Sequence, residues 1–276
     1  MRGQLRQQAT EILGQSALVI ITERVDDVAL LIGQMVTMGF PEVLDRPIPR
    51  HWTQRGSSWG WTAVMWLASI LTEGDHRNVS VEASLTGMHH TLSQLTAQVI
   101  EPLDLSDDRW SHLLAHVSKP TSWHQIERDL HARSLAGYAW AQDVIRGDAT
   151  TVSGEHEGTA GGLGQFGQSQ EDPTRPQITV LMGSLDPLGM PLATDVVSGE
   201  RADEGCSIPM LERIRTGLNT TGLLFVGDGK MRALDTRASL ARHQDWYVSP
   251  FPLTGGTAEA MDAWITTGGT QGEAGE

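Results

Sequence analysis

The hydrophobic period of this chain changes once, near residue 143, and that change limits the folds open to it. Before it, apolar residues recur at helical spacing. Val28, Leu31, Ile32, Met35 and Met38 line one face of a helix expected over 25–38. Gly39 ends it and Pro41 follows. Residues 59–72 are apolar nearly all round, which predicts the central helix of a small bundle. Ser106-Asp107-Asp108 supplies an N-cap and two acids where the helix dipole favours them, so a helix should run to about His116. Lys119-Pro120-Thr121 breaks it, and another helix is expected over 122–139. Two helices across a short break fit a helix-turn-helix, and equally any helical protein.

After residue 143 the pattern is that of strands. Residues 143–151, 177–185 and 190–197 read as three strands, the last two joined by the turn Asp186-Pro187-Leu188-Gly189. A helix over 204–218 carries Ile208, Leu211, Ile214 and Leu218 on one face. A short strand (222–227), a helix (231–243) and a strand (246–250) complete the run. The expected fold is therefore α+β. A helical domain over 1–140 precedes an incomplete ribonuclease-H-like mixed α/β domain over 141–252, in the order β-β-β-α-β-α-β. Other mixed sheets begin the same way. Residues 153–176 form a Gly/Gln/Ser-rich connection. Residues 253–276, without Lys or Arg and rich in Gly, Thr and Glu, read as a disordered tail.

The net charge of −14 argues against a general affinity for nucleic acid. Neither half escapes this: residues 1–130 hold 10 basic against 15 acidic side chains, and 131–276 hold 10 against 19. Contact with DNA would need a local patch. The candidate is Arg46, Arg50, His51 and Arg55 beside Trp52, which also reads as a solvated loop. One cysteine, Cys206, allows no internal disulfide, and no run approaches the ~18 apolar residues that span a bilayer. A cytoplasmic protein without membrane contact is the plain expectation.

Two aspartates stand out by position. Asp148 lies inside the first expected strand, and Asp228 follows the fourth in Leu223-Leu224-Phe225-Val226-Gly227-Asp228. If those strands are parallel neighbours, both carboxylates meet at one edge, as a hard divalent ion requires. An aspartate in a turn beside glycine is the plainer alternative. Gly162-Leu163-Gly164-Gln165-Phe166-Gly167 spells a dinucleotide fingerprint, but the polar, proline-punctuated segment after it does not open a helix. His89-His90 and the His124/His131 pair read as surface residues, and Cys206 has no readable partner for nucleophilic work.

The wording of several segments adds to this. RGDATTVSG (146–154), GQFGQS (164–169), RPQITVLMGSLDPLGMPLATDVVSGERAD (175–203) and GLLFVGDGKMRALDTRA (222–238) resemble one lineage of bacterial insertion-sequence transposases of the DDE type. ITERVDDVALLIGQMVTMGFPEVLD (21–45) and GWTAVMWLASILTEGDHR (60–77) resemble the small helical domain that precedes its catalytic domain. The resemblance runs over about 20–250. It implies a ribonuclease-H-like core, Mg²⁺ (or Mn²⁺), cleavage at transposon ends and joining to target DNA; transposon-end and target DNA are the implied partners, and homodimerisation is left open. Asp148 matches the first metal-binding acid and Asp228 the second; Thr150 and Thr151 match the small polar residues beside the first. Lys230 is placed to touch a phosphate or to stand solvated at a helix start. The third acid, a glutamate on a later helix, has no match in Glu259, Glu273 or Glu276, so the resemblance implies a truncated, inactive copy. A non-catalytic DNA-binding or interaction protein derived from a transposase is the alternative, and an unrelated metal-dependent phosphatase or nuclease a third.

Overall fold

The computed structural model describes residues 20–52, 54–138, 141–154, 161–166, 174–199, 207–228, 233–250 and 256–268. These belong to two compact units, Met1–Ile126 and Glu127–Glu276. The division falls inside a helix, before the boundary near residue 140 that the sequence pattern suggests. The reason is that Glu127 and Leu135, on that helix, pack into the second unit.

The first unit is helical: α1 (Val28–Thr37), α2 (Phe40–Asp45), α3 (Trp59–Glu73), α4 (Asn78–Thr86), α5 (His89–Thr96), a short 3₁₀ turn (Pro102–Leu105), α6 (Asp107–Val117) and the start of α7 (Pro120–Tyr138). Gly39 takes a left-handed φ of 69° between α1 and α2, and Pro41 opens α2 with its fixed φ. Ser58 caps α3 by accepting from the Trp61 amide, and Gly74 closes it at φ 65°. Gly60 lets α3 approach α2 closely, since a Cβ there would lie 2.0 Å from the Pro41 carbonyl oxygen. On α6, Ser106 accepts from the Arg109 amide, with Asp107 and Asp108 in the first turn.

The core of this unit gathers Val28, Ile32, Val64, Met65, Ala68, Leu85, Leu92 and Trp110. Each aliphatic side chain of this kind stabilises by about 1.5–3 kcal/mol when fully buried. α3 is not buried all round as its composition suggested. Trp59 is buried, Trp61, Trp66 and Leu67 are half-buried, and Leu71 is 63% exposed. Besides Trp59, the buried apolar side chains of α3 are Ala63, Val64, Met65 and Ala68.

The second unit is built on a mixed sheet, β1 (Val144–Ser153), β2 (Gln177–Leu185), β3 (Met190–Ser198), β4 (Leu224–Gly227) and β5 (Trp246–Val248), in the order β3-β2-β1-β4-β5. β1, β2 and β3 pair antiparallel, while β4 runs parallel to β1 and β5 parallel to β4. Helices α8 (Ile208–Leu218) and α9 (Leu234–Arg242) occupy the crossovers. The fold is α+β, with the strand and helix order read from the sequence.

Register sorts the sheet into two faces. Ile145, Leu181, Leu185 and Phe225 share one face and pack against Met210, Leu211 and Ile214 of α8 and Leu240 of α9. Gly183 sits where a Cβ would be 2.4 Å from Ile214 Cδ1, which brings α8 close to the strands. On the other face Val152, Met182, Val196, Trp246 and Val248 are exposed. Asp245 pins β5, accepting from the Leu223 amide and from Arg215 Nε while its own carboxylate is wholly buried.

A last helix, α10 (Gly256–Gly268), stands where a disordered tail was expected. Met261, Trp264 and Ile265 have helical spacing there, a signal masked by the surrounding Gly and Thr. Among the described residues no helix is long and apolar enough to cross a membrane.

Candidate metal-binding pair and basic loop

The two aspartates singled out in the sequence are brought together by the sheet. β1 and β4 are neighbours and parallel, with Ile145 paired to Phe225, Arg146 to Val226 and Gly147 to Gly227. Asp148 and Asp228 are the next residue on each chain. Alternation along the strands sets Asp148 on the exposed face with Arg146, and Asp228 follows Val226 in the same sense. Asp148 is exposed and Asp228 half-buried. Asp148 Oδ1 accepts from the Ala149 amide at 2.8 Å, which fixes the start of its side chain. Arg146, two residues earlier on the same face, is held instead by Asp186 at 2.6 Å. That ion pair draws the nearest cation on β1 toward the β2–β3 turn.

Two carboxylates on neighbouring strands, Asp148 within β1 and Asp228 just past β4, are the donor type that Mg²⁺ or Mn²⁺ takes. The residues present suit one such ion. Among the described residues no group of three or more His, Cys, Asp or Glu could hold a metal together. Thr150 is exposed on the same face as Asp148, and Thr151 points the other way. Lys230, Cys206, Gly167 of the glycine motif, Glu273 and Glu276 lie outside the described residues.

The arginine loop lies in the helical unit, between α2 and α3. Ile48, only 2% exposed, anchors its start between Pro47 and Pro49. Asp104 anchors its end: the buried carboxylate accepts from the Ser57 amide at 3.0 Å and the Glu101 amide at 2.9 Å. Gly56, at φ 74°, passes so near that a Cβ would lie 2.2 Å from Asp104 Oδ1. Arg109 lies 3.8 Å from Asp104, donates to the Ser57 carbonyl and stacks 4.0 Å over the Trp59 ring. Burial lowers the Arg109 guanidinium from its ordinary pKa, and Asp104 opposes that shift.

Arg50 closes the loop on itself. Its Nη2 donates to the Gly56 carbonyl at 2.7 Å and the Gln54 carbonyl at 3.0 Å, joined by Nε to Gln54 at 3.2 Å. Arg50 thus shapes the loop as well as adding charge to it. Arg46, His51 and Arg55 are exposed around it, and Trp52 is 89% exposed.

Several polar residues that sequence reading passed over are structural pins. Glu127 Oε1 accepts from the amide and the hydroxyl of Thr194, each at 2.6 Å, and Arg213 bonds Asp195 at 3.1 Å beside it. Burial raises the Glu127 carboxyl. His89 and His131 are half-buried rather than surface residues. His89 Nε2 lies 2.9 Å from the Ile100 carbonyl, and burial pushes His131 down to about 4.

The fold and site define an α+β protein whose mixed sheet carries two aspartates just past the paired residues of its central parallel strands. No protein-family model matches the chain, and no curated protein sequence does. Among solved structures it is similar to a Mos1 transposase paired-end complex with the left transposon end, at 9% identity over 89% of this chain and 91% of that one, with a TM-score of 0.28. A piggyBac transposase synaptic complex with hairpin DNA is similar at 9% identity over 83% and 50%, with a TM-score of 0.39. A Mos1 mariner paired-end complex with Mn is similar at 10% identity over 97% and 86%, with a TM-score of 0.27. The likeness is coarse, so residue roles come from this chain's own geometry.

Proposed function

We propose that the chain is an inactive copy of a transposase of the insertion-sequence DDE type, with a ribonuclease-H-like sheet unit and a DNA-contacting helical unit, binding transposon-end and target DNA in the cytoplasm. The observation that supports this reading is the parallel pairing of β1 with β4, which puts Asp148 and Asp228 each one residue past the last paired positions, Gly147 and Gly227. That is where the segment resemblance requires its first two acids. Asp148 and Asp228 would hold Mg²⁺ or Mn²⁺, which supplies Lewis-acid polarisation of a phosphodiester oxygen when bound. Arg46 and Arg55, with Lys230, would neutralise phosphates, each contributing salt-dependent affinity.

Two carboxylates can hold one ion, while two-metal strand transfer calls for more oxygen ligands. The second reading, a non-catalytic DNA-binding derivative of a transposase, is favoured by the lack of a third ligand among the described residues. The test is to incubate the purified chain with Mn²⁺ and with duplex carrying its own element's end. Calorimetry should show Mn²⁺ binding that Asp148→Ala or Asp228→Ala removes, without nicking by the unsubstituted chain. Mn²⁺ binding indifferent to both substitutions sinks the metal site. Nicking that vanishes in Asp148→Ala would overturn the inactivity and establish a catalytic transposase.

A further inference from the structure

A tryptophan at the tip of a polar loop exposes a large apolar ring, and Trp52 is 89% exposed. Here the loop is fixed at both ends, by buried Ile48 and by the Ser57–Asp104 bond, and closed across its middle by Arg50. The Gln54 amide donates to the His51 carbonyl at 2.9 Å, and Gln54 Nε2 donates to the Ser57 carbonyl at 3.2 Å. These bonds hold the described residues on either side of Thr53, which lies outside the described residues, so a ligand meeting Trp52 has less loop entropy to remove. His51 lies beside the indole with ring centroids 5.8 Å apart, tilted by 37°.

The charge around the ring selects the ligand. Residues 46–55 contain Arg46, Arg50 and Arg55 and no acidic residue, in a chain of net charge −14. Asp45, just before this basic stretch, is engaged by the Gly60 amide at 2.7 Å, and a basic stretch carrying a flat exposed ring suits a polyanion that also offers flat rings. Nucleic acid with an unpaired base does so; a fully stacked duplex offers phosphates but no free base face. We propose that Trp52 is a stacking platform for an unpaired DNA base, flanked by Arg46 and Arg55 on the adjacent phosphates. This rests on the DNA-binding reading above and adds to it a preference for distorted or single-stranded DNA.

The test uses the full chain and three fluorescein-labelled probes: a short duplex, the same duplex with one unpaired thymine, and the single strand. Anisotropy titrations across salt concentrations read affinity and salt slope together. Trp52→Ala should weaken the unpaired-base and single-strand probes about tenfold while duplex binding stays within about twofold, because stacking is lost and phosphate contacts are kept. Trp52→Phe should restore most of the loss, and the salt slope should not change. Arg46→Ala with Arg55→Ala should instead weaken all three probes and reduce the slope by roughly two. Because Trp52 is exposed, an unchanged thermal melt confirms that each variant is folded. Equal losses on all probes in Trp52→Ala, or none, overturn the stacking role and leave DNA binding standing. No binding of any probe by the unsubstituted chain overturns both. Binding to phosphatidylcholine–phosphatidylglycerol vesicles that depends on Trp52, with DNA affinity unchanged, would overturn the proposal in favour of a membrane contact.

Discussion

The helical unit and the sheet unit bury apolar surface in different ways. In the first, α1, α3, α4, α5 and α6 surround one core, and Trp110 is completely enclosed. In the second, α8 and α9 cover one face of the sheet, while Trp246 and Val248 on the other face are 70% and 55% exposed. Asp148 belongs to that second face. A carboxylate there keeps its hydration, whereas on the covered face it would have lost several kcal/mol to desolvation. The difference teaches where chemistry can sit in such a fold: the enclosed unit fixes a loop, and the half-covered sheet carries the acids.

The largest expected effect tests the enclosed side. Trp110→Ala removes the biggest fully buried side chain of the helical core and should cost about 3–5 kcal/mol, read by chemical denaturation. A cost below about 1 kcal/mol would mean the core collapses around the gap, and the contrast between the units would be weaker than drawn.

Acid should separate the units next. Burial holds the folded-state pKa of His131, in the sheet unit, at about 4, below the ordinary value. The stability linked to His131 is therefore fully present above about pH 6.5 and is lost as pH falls toward 4, because the unfolded chain binds the proton first. Each tenfold difference in proton affinity between the folded and unfolded chain is worth about 1.4 kcal/mol, so the loss should reach roughly 2–3 kcal/mol. His131→Gln should flatten that slope. Glu127 works in the opposite sense. Its raised carboxyl makes the charged form costly at neutral pH, and that cost is relieved as pH falls through the raised value. Glu127→Gln keeps an acceptor for Thr194 and should remove this smaller gain. Hydrogen exchange at neutral pH and near pH 5 reads each unit separately; equal protection changes in both units at every pH would break the comparison.

How far the sequence foretold this arrangement depended on the strength of each local signal. β2 was readable to the residue because alternation and its flanking turn agree. The helices α1, α3 and α6 were readable because their apolar spacing or caps extend over several turns. α2 has six residues and α4 a mixed face, so tertiary packing rather than local pattern defines them. α10 was hidden by composition: Gly and Thr outweighed Met261, Trp264 and Ile265. The placement of Asp148 and Asp228 on neighbouring strands was legible because one sat inside a strand and the other just past one, each in a recognisable segment. The display of Trp52 was not, since it depends on Arg50 folding back to carbonyls four and six residues on. Nothing in local periodicity reports such a bond.

The smallest expected effect lies on the exposed face. Trp246→Ala truncates a ring as large as that of Trp110, on β5 at the edge of the sheet. The native ring is 70% exposed, so little apolar surface returns to water when it is removed. The backbone pairing of Trp246 with Leu224 and the bond from its amide to the Leu223 carbonyl at 2.8 Å do not involve the side chain. The loss should therefore stay within about 0.5 kcal/mol, the ordinary range for surface positions. Val248→Thr, which keeps β-branching beside Val226, should be smaller still. Denaturation of both variants beside Trp110→Ala makes the comparison direct. A loss in Trp246→Ala approaching that of Trp110→Ala would mean that this face is covered in solution, and Asp148 would then lie in an enclosed site rather than on an open sheet.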